Sequence, residues 1–156
     1  MSDERSARGR PLNGWGPIRL ALVGLDWFAA LTAIVGGIAL AAGIEASRFP
    51  ASWLEGTPFS SYVLPGLILA AVVGGSAALA ALEAARSSRG GGRASMAAGV
   101  ILLGWIVGEV ALLTADAQVI SPAEVVYLAV GLGMTLLGAR LVGRQRGSAA
   151  GAAGQR

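Results

Sequence analysis

Four runs of about twenty mostly apolar residues dominate the chain: Leu20 to Ile44, Tyr62 to Leu82, Met96 to Ala115 and Ala123 to Leu141. A helix needs about 20 such residues to cross the hydrocarbon core of a bilayer. No water is available there, so each segment must satisfy its own backbone N–H and C=O groups, and a helix does so where a lone strand cannot. The sequence therefore predicts an all-α protein, an integral membrane bundle of four transmembrane helices over residues 20–44, 62–82, 96–115 and 122–141. The first run is not a cleavable signal peptide: it is too long for an apolar signal core, carries Asp26 and lacks a clear cleavage site.

Composition agrees with that constraint. Of 156 residues, 54% are hydrophobic and 13% charged, about half the charge of an ordinary soluble domain. A globule of this size is mostly surface and has no interior large enough to hide the surplus. The chain has neither Cys nor His, which excludes disulfides, thiol and imidazole catalysis, and the usual zinc, haem and iron–sulfur ligand sets. No cofactor and no metal site is expected. The Gly-rich stretches are not phosphate-binding loops, because none follows a strand or ends in Lys-Ser/Thr.

Arginine sets the expected orientation. All twelve basic residues are Arg, and eleven fall in the N-terminal segment, the loop between the second and third runs, and the C-terminal segment; Arg48 is alone on the other side. Basic residues stay cytoplasmic, so both termini are expected inside a bacterial plasma (inner) membrane. The net charge of +3 then reflects topology and not nucleic-acid binding, since the arginines form no single basic face with interleaved aromatics. The lipid bilayer is the first partner.

The tails, residues 1–17 and 143–156, flank a membrane domain over 18–142 and are rich in Gly, Ser, Ala and Arg, a composition that predicts disorder. The inner loop RSSRGGGRAS reads as a flexible linker, its arginines near anionic headgroups. Ser121-Pro122-Ala123-Glu124 is a helix start, with Ser to cap, Pro at the first position and Glu at the third. The second helix is expected to begin at Ser60 or Ser61 with Pro65 in its first turn. The outer loop 45–61 (EASRFPASWLEGTPFSS) carries Phe49, Trp53, Leu54 and Phe59 and predicts a short turn of helix at the interface, either an aromatic anchor or a lid over a substrate path.

Small residues four apart mark helix-packing faces: Ala29, Ala33, Gly37 and Ala41; Ala70, Gly74 and Ala78; Gly104 and Gly108; Gly131 with Thr135. They let backbones approach closely, which lipid-embedded helices need in place of a hydrophobic drive. Two acids interrupt the runs. Asp26 lies near the inner end of the first helix and Glu109 near the outer end of the third, an axial separation on the order of 10–15 Å. They do not form a carboxylate pair. An ionisable group at membrane depth costs about 2.5–3.5 kcal/mol to insert, so each is a candidate proton or cation site or a polar contact between helices. Matching levels nominates Ser76, with Thr32 second, as the partner of Asp26, and Tyr127 or Tyr62, with Trp105 one turn away, for Glu109.

The stretch SWLEGTPFSSYVLPGLIL, with LDWFAAL before it and Gly-Trp-Ile-Val-Gly-Glu at 104–109, resembles a group of small uncharacterised four-helix membrane proteins of bacteria with GC-rich genomes. The resemblance spans residues 20–142 and implies the four-helix fold, with no activity or catalytic residues. Small multidrug transporters also carry an acid in the first of four helices, but their aromatic and glycine signature around it is missing here. The leading functional expectation is a non-enzymatic membrane protein, as an accessory subunit of a larger membrane complex or a homo-oligomer. The alternative is a small proton- or cation-coupled transporter or channel with Asp26 and Glu109 as stations. An enzyme would need a convergent polar cluster, and the sequence offers none.

Overall fold

The structure, a computed structural model, describes residues 16–44, 49–113 and 122–153, with the backbone alone at 88, 112, 113 and 145–153. It is all-helical. Four helices, α1 (Pro17–Ala41), α2 (Val63–Arg86), α3 (Ser88–Leu113) and α4 (Pro122–Ala153), run up, down, up and down, and each contains a stretch long and apolar enough to cross a membrane. Neighbours in sequence pack against each other, and α1 closes the ring against α4. Two ends result: a hairpin end, where α2 turns into α3 at Ser87, and a loop end, where residues 49–62 cross between α1 and α2.

Local chemistry sets the boundaries. Pro17 opens α1 at the first helical position, where a missing N–H costs nothing. The helix stops at Ala41, three residues before the expected Ile44, because Gly43 turns left-handed (φ +70°). The Ile44 N–H then reaches back to the Ala39 carbonyl and the Gly43 N–H to that of Leu40, a glycine-terminated helix end. Helix α2 begins at Val63, and neither Ser60 nor Ser61 caps it: Tyr62 holds the cap position without a side-chain bond. Pro65 does sit in its first turn. Leu69–Gly74 form a π-helical turn within α2, against which α1 packs through Gly37 and Ile34. The expected turn in the outer loop is present as a 3-10 turn at Ala51–Leu54, with Leu54 buried. Ser121, the expected cap of α4, and residues 45–48 lie outside the described residues.

The inner loop corrects the sequence reading. RSSRGGGRAS is not a flexible linker but the last residue of α2, one extended residue and the first two turns of α3. The Ser87 hydroxyl accepts the Gly90 N–H at 3.2 Å and so caps α3. The glycines allow contact with the neighbouring helices. A Cβ on Gly91 would overlap the Ala84 backbone, and one on Gly92 would meet the Gly138 carbonyl at 3.1 Å. Arg19 of α1 fastens the same end: its Nε and Nη2 donate to the Ala84 and Ala85 carbonyls at 2.6 and 2.7 Å, closing acceptors that the last turn of α2 leaves open. Helix α4 continues to Ala153, through residues where the sequence predicts a tail, over a run rich in the strong helix former Ala.

Most small-residue stripes lie in the seams. Gly37 and Gly66 pack backbone to backbone, with Ala70 and Ala41 beside them; Gly74 receives Ile34; Gly99 faces Gly131 and Thr135. Gly104 and Gly108 do not, since a Cβ on either would meet nothing within 4 Å. The core between the helices is made of Ala29, Ala30, Ala33, Val73, Ala77 and Ala80 on one side and Ala98, Leu102, Ile106, Val130 and Met134 on the other.

Candidate functional site

The two intramembrane acids have different surroundings. Asp26 is fully buried, and its partner is not Ser76 but Ser95, whose hydroxyl donates to Oδ2 at 2.6 Å. Its Oδ1 is buried with no hydrogen-bond partner. The correction follows from the longer α3. With the helix starting at Ser88, Ser95 is two turns in and shares the buried face of Gly91, Gly92, Ala98, Gly99 and Leu102. Ser76 instead donates to the Val73 carbonyl of its own helix, in the π turn, and Thr32 donates to the Phe28 carbonyl. Asp26 thus sits in a closely packed seam, where a bond to Ser95 ties α1 to α3.

Glu109 lines a cavity. At the loop end the outer halves of the helices border a partly open space of about 410 Å³, lined by α1, α2, α3, the first two turns of α4 and the crossing loop. Glycine makes the room: Gly36 of α1 and Gly104 and Gly108 of α3 line it, and none has a neighbour where its Cβ would be. Leu54, Phe49 and Phe59 of the loop cover it, and Trp105, Tyr127 and Tyr62 complete an aromatic wall. Tyr127 is braced by Phe28, with rings stacked at 6.2 Å and 28°, and Tyr62 by Phe49 at 6.0 Å. The sequence-nominated Glu109, Tyr127 and Tyr62 therefore line one space, while Asp26 and Ser76 are not part of that lining.

The ionisable groups among the described lining are acids, apart from the Tyr62 and Tyr127 phenols. Glu124, the third residue of α4, lines it with Glu109, and the two carboxylates are close enough to act on each other electrostatically; the Trp105 indole, one turn before Glu109, hydrogen-bonds to the Glu109 carboxylate. Glu124 lies in the first turn of its helix, where the helix dipole favours an anion. Three other polar side chains of the lining are turned to the chain itself. Thr32 donates to Phe28, Thr57 to the Leu54 carbonyl at 2.7 Å, and the Tyr62 hydroxyl to the Pro50 carbonyl at 3.1 Å. Burial raises the Tyr62 phenol above its ordinary value of 10.0. No arginine is among the described residues that line the space, and no group of three acidic side chains there could hold a metal ion. Glu124 was not a sequence candidate, because its place in a helix start accounted for it. Its position one residue pair beyond Pro122, at the same end as Glu109, was the available signal.

Fold and site together define a four-helix, multi-pass membrane protein with an acidic, aromatic cavity at one end. Neither a family model, nor a curated protein, nor a solved structure matches the chain.

Proposed function

We propose that this is a non-enzymatic protein of the bacterial inner membrane that binds a cation in the loop-end cavity, with both termini cytoplasmic and the cavity on the opposite side. One observation carries the reading: Glu109, an acid within a membrane-crossing helix, lines an open space, whereas Asp26 is packed into a helix seam against Ser95. A carboxylate kept at membrane depth costs stability unless a contact or a ligand returns it. Asp26 bonds across the seam to Ser95, which makes it an interhelical tie; Glu109 bonds to Trp105 of its own helix and also faces room for a ligand. The arginine distribution supports the orientation, since the hairpin end carries the basic residues.

Thermal unfolding of the purified protein in detergent tests the reading. A ligand that binds only the folded state raises the melting temperature. Across a series of cations from sodium and potassium to tetraalkylammonium ions, at least one is expected to raise it for the wild type and not for Glu109→Gln. Equal shifts in the two proteins for every cation would refute a Glu109 site.

A further inference from the structure

We infer that the cavity takes an organic cation with apolar substituents, of the quaternary ammonium or phosphonium class, in preference to an inorganic ion; this rests on the cation-binding reading above. Small metal cations give up water only to a shell of several oxygens. The described lining offers two carboxylates and three hydroxyl oxygens, those of Thr32, Thr57 and Tyr62, each hydroxyl tethered by donating to a backbone carbonyl of the chain. Most of the rest of the wall is carbon: Ala33, Leu40, Leu69, Leu102 and Ile106, with five aromatic side chains. Against the described lining, a hydrated ion would exchange much of its water for carbon. An organic cation loses little hydration, buries its substituents against the aliphatic wall, and presents diffuse positive charge to the faces of Trp105 and Tyr127. The carboxylates of Glu109 and Glu124 supply the charge complement. A volume of about 410 Å³ lies within the usual range for drug-sized ligands, about 300–1,000 Å³.

Tetraphenylphosphonium and tetraphenylborate separate charge from shape, since they share size and apolar surface and differ in sign. Binding of each to the full-length protein in nanodiscs is measured by equilibrium dialysis. Saturable binding of tetraphenylphosphonium is expected, with tetraphenylborate unable to displace it. Glu109→Gln should weaken it by roughly tenfold or more, as expected when one member of a desolvated charge pair is lost. Gly36→Leu and Gly108→Leu fill the cavity from two walls at positions where a Cβ meets open space, and each should abolish saturable binding while the protein stays folded. Trp105→Leu removes one aromatic face, an effect of about two- to thirtyfold.

Equal competition by tetraphenylborate, or tetraphenylphosphonium affinity unchanged in Glu109→Gln and in both glycine variants, overturns the inference. If tetraphenylphosphonium fails to bind but sodium or potassium raises the melting temperature in a Glu109-dependent way, the organic-cation assignment falls and the cation site stands. If no cation of either kind acts through Glu109, both fall.

Discussion

Ser95 and Ser76 differ by what their hydroxyls hold. Ser95→Ala would leave Asp26, buried at both oxygens, with no hydrogen-bond partner at either, and should lower stability by about 1–2 kcal/mol. Ser76→Ala removes only a bond back to its own helix, and its effect should stay within about 0.5 kcal/mol. Unfolding midpoints of the two variants in mixed detergent check the pair, and the reverse order would show that α1 and α3 are not tied at this point. Tyr62 gives a second residue-scale expectation. Partial burial raises its phenol above the ordinary tyrosine value, so the folded state keeps its proton to higher pH than the unfolded chain does. Its contribution to stability is present below pH 10 and is lost as pH rises through the raised value. In an ultraviolet titration of the wild type, the tyrosinate step belonging to Tyr62 should lie above the ordinary tyrosine range and vanish in Tyr62→Phe.

At the scale of elements, glycines of identical sequence character do opposite things. Gly91→Ala places a methyl group on the Ala84 backbone, so α2 and α3 must separate, at about 1–3 kcal/mol. Gly24→Ala meets open space on α1 and should be neutral or stabilising by up to about 1 kcal/mol, the helix propensity difference. Denaturation of the two single variants under one condition tests this, and equal effects would argue against the close hairpin. The same contrast shows what could be read without coordinates. Each of the four helices was legible, because hydropathy over twenty residues is an additive property of the segment. The Ser87 hairpin was not, because Gly-Gly-Gly is equally the signature of a flexible linker and of helices in contact. Only the partners, Ala84 and Gly138, distinguish them. That one misreading then displaced the start of α3 by two turns and moved the Asp26 partner from Ser95 to Ser76. Gly104 and Gly108 show the converse: their spacing suggested a packing face, and the structure leaves them lining a cavity.

Over the whole molecule, the two ends are built to different rules. The hairpin end is closed by backbone contacts at Gly91, Gly92 and Gly138 and by the Arg19 clasp, while the loop end holds the cavity. Glu109 and its aromatic neighbours were found in the sequence because an acid at membrane depth is rare; the cavity itself was not, because its lining is drawn from all four helices and the crossing loop. The proposed orientation is directly testable, since the chain has no cysteine and a single introduced thiol is its own label. Ser52→Cys, exposed at the loop end, should react with a membrane-impermeant maleimide on spheroplasts, and Ser2→Cys only after lysis. The opposite pattern would invert the topology.

The early start of α3 has a further consequence. Arg89 and Arg93 ride on the same rigid helix as Glu109, which lies sixteen residues beyond Arg93, or about 24 Å along the axis. In the proposed orientation, guanidinium groups held by anionic headgroups would fix the height at which the bundle floats, and the hydrocarbon core is about 30 Å thick. Glu109 would then be carried to just short of the far water surface, at an altitude set by a ruler of fixed length. Bilayer thickness becomes a control on the carboxylate: thin lipids bring it towards water, and thick lipids submerge it. Across a series of vesicles of increasing acyl-chain length, the affinity of the cavity for the proposed cation should change monotonically with no alteration in the protein at all.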